Sequence, residues 1–460
     1  MHKPHTAFEN LLLYLQPRQL VVFALGLAQG APFALIAGTL TYWLAKLGLD
    51  KSTVGLFGLA GLAYSLKFLW APLLDRVRLP LLARLVGQRR AWLLVLQLAL
   101  FAAISALGYS SPVENVLKTA ALAALIGFLS ASQDVIIDAF RIEILDDDEQ
   151  GAGAAMIQFG WRIGALLAGA GTLVLAKRIG YPEAYLLSSF IILPGLIAAF
   201  LWGEPRHVET IEARRQREAV EVMLAKSGRT GLIPRVLAWV YMAAVAPFAE
   251  FMTRRGWYLI LIFILLFKFG DAVAANQTSY FLFELGFDED EMAWANKVAG
   301  TIPTLIGIAL GGTLYFAVGA WRALFITGIL MMVTNLMFVA LAGVGHSVLF
   351  LMLTVGTENL ASGLGGTAVV AYLSGLCNKS FTATQYALLS AVTLLPRSIF
   401  AGFSGFISER VDWPTFFIIS TLAAIPGLMM LFAMRRVAFA KDGSPVPHDA
   451  GAAKPDPALP

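Results

Sequence analysis

The residues most able to do chemistry lie where they are most costly to keep. Leu117 to Leu129 is almost unbroken apolar sequence, and the same helix then takes in Gln133, Asp134, Asp138 and Arg141 within LSASQDVIIDAFRIE. Asp134, Asp138 and Arg141 are spaced i, i+4, i+7 and so share one helix face, with Gln133 roughly 100° from Asp134. A carboxylate turned to lipid costs several kcal/mol, so this face must look into protein or a wet cavity. Two roles fit: handling a substrate or proton, and an ion-paired hinge at a helix end. Nucleophilic or metal catalysis is poorly supplied. The single cysteine, Cys377, leaves no intrachain disulfide or multi-cysteine metal site, and His2, His5, His207, His346 and His448 all fall in loops or tails. No enzyme activity, cofactor or metal is expected.

The elements that must position these residues are membrane helices. With 58% hydrophobic residues, 14% charged residues and a mean hydropathy of +0.72, the chain has more apolar surface than a soluble globule can bury. Its 42 glycines suit helices that approach closely in lipid. The first apolar run, from near Leu20, is too long for a signal-peptide core and reads as a retained span. Windows of about 20 apolar residues cross the hydrocarbon. They fall at 20-46, 53-74, 91-109, 116-140, 152-176, 184-202, 257-284, 293-318, 321-342, 347-376, 382-407 and 413-434, twelve in all. The expectation is an all-α polytopic membrane protein with an N-terminal six-helix half at 1-203, a linker at 204-256, a C-terminal six-helix half at 257-436 and a disordered tail at 437-460.

Lys and Arg concentrate in the loops on the side of the N-terminus, which places both termini in the cytoplasm. They do not form a nucleic-acid stripe, so no nucleic acid partner is expected. Within the linker, Val236 to Phe251 is too short to span comfortably and contains Pro247 and Glu250; it reads as a helix lying at the interface, with a thirteenth crossing as the alternative.

The halves repeat. Tyr181-Pro182 and Pro194-Gly195-Leu196 recur as Trp413-Pro414 and Pro426-Gly427-Leu428; Gln150 and Arg162 recur as Gln385 and Arg397; Leu47-Gly48-Leu49-Asp50 recurs as Leu285-Gly286-Phe287-Asp288. Matches in one order at a nearly constant shift point to the parallel repeat of major facilitator transporters, whose first, second, fourth and fifth helices of each half line the substrate path. The polar residues sort accordingly. Gln29, Lys67, Gln133, Asp134, Gln158 and Arg162 fall on those helices in the first half; Lys268, Asp271, Asn276, Gln277, Lys297, Glu358, Asn359 and Arg397 do so in the second. The third, sixth, ninth and twelfth spans carry little beyond Asn335.

Each of these has a plainer reading. Lys268 and Asp271 are i, i+3 and could neutralise each other. Lys67, just before Trp70-Ala71-Pro72, could snorkel to the interface. Arg162 and Arg397 suit carboxylate or phosphate groups of an anionic substrate, or could clamp Asp134 or Glu358.

YSLKFLWAPLLDR with the following Gly87-Gln88-Arg89-Arg90, ASQDVIIDAFRIE, Trp161-Arg162-Ile163-Gly164, APFAEF and FKFGDA together resemble the AmpG-type muropeptide permeases, from about Gln19 to Arg436. Relatives of that family include acetyl-coenzyme A transporters. The resemblance implies a major facilitator fold and import of GlcNAc-1,6-anhydroMurNAc peptides from periplasm to cytoplasm. It further implies coupling to protons across a Gram-negative inner membrane, in cell-wall recycling and beta-lactamase induction. The chain departs from the general facilitator pattern after Asp75-Arg76, where Val77-Arg78-Leu79-Pro80 replaces the usual early glycine.

The expected site follows. Gln29, Gln133, Arg162, Lys268, Asn276, Glu358, Asn359 and Arg397 would bind substrate; Asp134, then Glu358, would carry the proton; Asp75, Arg76, Arg89, Arg90, Asp138 and Arg141 would form the cytoplasmic gate. The expected partners are a small muropeptide, protons and the lipid bilayer, with the chain a monomer. The alternatives are transport of another anionic solute, such as an acetyl-CoA-like ester or peptide, and a non-transporting membrane sensor.

Overall fold

The computed structural model describes residues 13–205, 241, 245–254 and 256–439. The side chains of Asn276, Lys297 and Arg397 lie outside the described residues, although their backbones are helical.

Among the described residues, ten helices are long and apolar enough to cross a membrane. They are α1 (Pro17–Lys46), α3 (Gln88–Gly108), α4 (Val116–Ile144), α5 (Gln150–Ile179), α6 (Tyr181–Trp202), α7 (Trp257–Glu284), α9 (Ala320–Val344), α10 (Val348–Leu376), α12 (Trp413–Arg436) and the Thr301–Val318 part of α8 (289–318). With α2 (51–76) and α11 (Thr382–Ser408) they complete the twelve helices of a major facilitator fold. The second helix is the irregular one. It is interrupted by 3-10 turns at Gly58–Gly61 and Lys67–Leu69, and its last piece restarts with Pro72 in the first turn. Glycine weakens a helix interior and proline cannot donate to the preceding turn, so the breaks fall where the sequence puts those residues.

The chain divides into two compact units. One is His5–Val208 with Phe381–Ala391; the other is Met1–Pro4, Glu209–Ser380 and Val392–Pro460. The start of α11 thus belongs with the first unit, which a boundary at the linker does not anticipate.

In the first unit α1 and α5 pack backbone to backbone. Gly26 faces Gly160, Gly164 packs on the Leu27 backbone, and a Cβ at Gly30 would overlap the carbonyl of Trp161. Small residues at such a seam let dispersion contacts form along the whole helix pair. Downstream of Pro32, α1 loosens into a π-turn at Leu35–Thr39, and fully buried Tyr185 of α6 donates to the Leu35 carbonyl at 3.2 Å. In the second unit α8 meets α10 through Gly307, Gly311 and Gly363. Its core is aromatic, with Phe281 and Phe338 both packed on Phe417, at 4.9 Å and 5.0 Å between ring centres.

Two boundaries differ from the sequence reading. The last helix continues through Ala438, past the expected tail boundary, and residues 440–460 lie outside the described residues. Of the expected interfacial segment, 236–240 and 242–244 are also outside. What is described is the helix Ala246–Thr253 at its end. Arg254 holds it, pairing with buried Glu250 at 2.9 Å and donating to the Leu376 carbonyl at the end of α10.

Candidate functional site

In the first unit, the polar face of α4 meets the broken α2. Lys67 Nζ lies 3.8 Å from Asp134 Oδ2 and 3.9 Å from Asp138 Oδ2, and all three residues are buried. Lys67 therefore does not snorkel. Two carboxylates one helical turn apart hold it inside, and the 3-10 turn at Lys67–Leu69 delivers it to them. Arg141, fully buried, continues the array: its Nη2 is 3.8 Å from Asp138 Oδ1 and its guanidinium lies over the Tyr386 ring. Lys67 and Arg141 balance Asp134 and Asp138, which buried charges require. Gln29 of α1 lies beside Asp134. Gln133 is fully buried and donates to the Ala28 carbonyl at 2.9 Å, tying α4 to α1, while its Oε1 is left without a hydrogen bond among the described residues.

At the end of the unit where α2 stops and α3 starts there is a second ionic cluster. Arg89 donates from Nη2 to Asp75 Oδ1 at 2.7 Å and reaches Glu143 with both Nη2, at 2.6 Å, and Nε, at 3.1 Å. A fork of this kind fits two carboxylates at once, which an ammonium would not. The other oxygen of Asp75 accepts from the Thr384 amide and hydroxyl at 3.2 Å and 3.0 Å, so it caps the start of α11. Arg76 stacks over Phe381. Glu204 accepts from the Arg89 and Arg90 amides at 2.7 Å and 3.1 Å and so caps α3. A cavity of about 590 Å³ opens here, lined also by Arg78 and Arg84. Of the six expected gate residues, Asp75, Arg76 and Arg89 meet in this cluster. Arg90 instead turns to α6, over Phe200 and onto its carbonyl at 3.2 Å, while Asp138 and Arg141 belong to the Lys67 array.

Arg162 stands apart from the Lys67 array and the Arg89 cluster. It sits midway along α5, is exposed, and lies over the ring of its neighbour Trp161; among the described residues no carboxylate pairs with it. A bare guanidinium at that depth requires water or a ligand around it.

In the second unit α7 breaks at Lys268, where the backbone leaves helical geometry between Trp257–Phe267 and Phe269–Glu284. Asp271, one turn on, accepts from Asn335 Nδ2 of α9 at 3.4 Å, which accounts for the polar interruption of that span. Glu358 of α10 faces the same group, near enough to repel Asp271 and to be attracted by Lys268. Asn359 donates to Glu358 at 2.9 Å and accepts from the Thr304 hydroxyl at 3.1 Å. Lys268, Glu358 and Asn359 are thus brought together with Asp271, while the side chains of Asn276 and Arg397 are outside the described residues.

Sequence reading alone missed the partners rather than the charges. Thr304 and Thr384 gave no signal beyond residue type, because a hydroxyl in a membrane helix usually bonds its own backbone. Asp271 was visible as a counter-charge to Lys268; its hydrogen bond from Asn335 and its closeness to Glu358 were not.

Residues 21–359 match the Major Facilitator Superfamily. The anhydromuropeptide permease of Escherichia coli K12 is 39% identical over 93% of this chain and 82% of its own length. AmpG 4 of Rickettsia felis is 33% identical over 90% of this chain and 96% of its own. Among solved structures, the proton:xylose symporter XylE superposes with a TM-score of 0.64 at 14% identity, covering 91% of this chain and 95% of that one, which speaks to the fold alone. The glycine-sealed α1–α5 pair, the broken α2 under an acidic α4 and the Asp75–Arg89–Glu143 cluster are therefore features of a chain that belongs to the major facilitator superfamily and, within it, to the AmpG-type permeases.

Proposed function

We propose that the chain imports anhydro-muropeptides, disaccharide peptides with acidic arms, by alternating access coupled to protons. The reading places it as a monomer in a Gram-negative inner membrane with both termini cytoplasmic, supplying cell-wall recycling and beta-lactamase induction. The observation that carries it is Arg162, a guanidinium midway along a membrane helix with no carboxylate partner among the described residues. Such a group is suited to a carboxylate that arrives and leaves. The permease activity named for the 39%-identical E. coli relative supports the choice of solute.

In this reading Arg397 holds a second acidic group, and Gln29, Gln133, Lys268, Asn276 and Asn359 orient the sugars and peptide. Asp134 is the first proton carrier and Glu358 the second. Lys67 links the first to its surroundings: when Asp134 takes a proton, Lys67 is left to Asp138, and the neutral Asp134 is free to change partners. Asp75, Arg76 and Arg89 work the cytoplasmic gate.

Counterflow in proteoliposomes tests the substrate without reference to any gradient. Vesicles loaded with unlabelled anhydro-muropeptide should take up the labelled compound, and coenzyme A esters or simple sugars should not replace it. Exchange of none of these would favour the sensor alternative.

A further inference from the structure

Beside Arg162 lies an aromatic group that no role has yet absorbed. Phe33 of α1 stands edge-on to Tyr64 of α2, with 5.2 Å between ring centres at an interplanar angle of 89°, and at 6.1 Å and 39° from Trp161 of α5. Three helices therefore contribute one ring each to a continuous row that ends at the Arg162 guanidinium, 5.5 Å from the Trp161 ring centre.

The row faces the polar side of the unit rather than lipid. Phe33 is one turn beyond Gln29, which is buried beside Asp134. Tyr64 lies close to Asp134 and donates its hydroxyl to Ser130 of α4 at 2.8 Å. The rings are also not core. Phe33, Tyr64 and Trp161 all remain half-buried, whereas the packing aromatic Tyr185 of the same unit is fully buried. The Trp161 indole N–H has no acceptor among the described residues, while those of Trp70 and Trp92 are satisfied at 3.0 Å and 2.9 Å. Partly exposed rings with an unsatisfied N–H are what a polar ligand with an apolar side needs.

A pyranose is such a ligand: its axial C–H groups form an apolar patch and its hydroxyls and acetamido oxygens ring the edge. We propose that Phe33, Tyr64 and Trp161 form a stacking shelf for a sugar ring of the substrate, with Trp161 also donating its N–H to that sugar, while Arg162 takes an acidic group of the same molecule. The α1–α5 glycine seam fixes the distance between Phe33 and Trp161, because Gly30 packs on the Trp161 backbone. The shelf rests on the muropeptide reading above and adds its sugar subsite, with three residues that the reading itself did not use.

The test uses the full chain in proteoliposomes with labelled GlcNAc-1,6-anhydroMurNAc-tripeptide. The competitors are the peptide-free disaccharide and the sugar-free tripeptide. Trp161→Leu and Phe33→Leu should weaken competition by the disaccharide at least tenfold and leave that by the tripeptide unchanged; Trp161→Phe and Trp161→Tyr, which keep a ring, should lose much less. The disaccharide should also change tryptophan emission in the native chain and fail to do so in Trp161→Phe, a readout that does not depend on the leucine variants folding. Normal muropeptide exchange with unchanged disaccharide competition in the leucine variants would overturn the shelf and leave the transport reading standing. An emission response of Trp161 to a plain pyranoside, without any muropeptide exchange in the native chain, would do the reverse. Neither response would remove both.

Discussion

Lys67 and Asp134 approach to 3.8 Å inside the first unit, and the same ammonium is 3.9 Å from Asp138. One cation thus serves two carboxylates on one helix face. Removing it takes away the cation that pairs with Asp134 and leaves Asp138 to Arg141 alone, and losing one member of a buried ionic group costs about 3–5 kcal/mol. Lys67→Met should therefore unfold earlier on heating in detergent than the native chain, and Lys67→Met with Asp134→Asn should recover part of the loss. A double variant no better than the single one would mean that the two residues are not energetically coupled.

The Arg89 fork makes a different prediction. Arg89→Ala removes the guanidinium that Asp75 and Glu143 share, with a cost of about 3–5 kcal/mol. Arg89→Lys keeps the charge but cannot bond both carboxylates in the same geometry, so its thermal stability should fall between alanine and the native chain. Equal stability of lysine and arginine would show that only the charge matters.

Helix packing can be tested separately from charge. A Cβ at Gly30 runs into the Trp161 carbonyl, and overpacking of this kind costs about 1–3 kcal/mol. At Gly171, further along α5, a Cβ meets nothing within 4 Å, so Gly171→Ala should be neutral or stabilise by about 0.5–1 kcal/mol through helix propensity alone. Thermal unfolding of the two variants side by side checks the contrast.

Arg162 should matter for substrate and little for folding, since no ion pair among the described residues depends on it. Arg162→Gln should raise the apparent KM for muropeptide uptake roughly tenfold, about 1.4 kcal/mol, with thermal stability unchanged. A folding defect of the same size would recast Arg162 as a structural residue.

What could be read from the sequence was the placement of charge. Asp134, Asp138 and Arg141 stood out because an apolar run makes any ionic residue conspicuous, and helical spacing put them on one face. Their partner did not follow, because periodicity gives a direction around an axis and not the residue that meets it. Lys67 was placed on the substrate path with an interfacial snorkel as the alternative, but the two carboxylates that hold it inward could not be named. Glu143 and Arg89 are 54 residues apart and Asp75 and Thr384 309 apart, separations at which no local pattern operates. The glycine count announced close helices without saying that Gly26, Gly30, Gly160 and Gly164 were the ones. Phe33, Tyr64 and Trp161 were hidden for a related reason: in a chain with 12% aromatic residues, three rings on three helices carry no mark of their meeting.

Gradient-driven uptake tests the central claim most directly. Purified chain in proteoliposomes is given labelled anhydro-muropeptide with the exterior made acidic relative to the lumen, with and without a protonophore. Proton-coupled import predicts accumulation above the external concentration that the protonophore abolishes and that Asp134→Asn no longer supports. Uptake that only equilibrates, with the same rate and extent whatever the gradient, would contradict it.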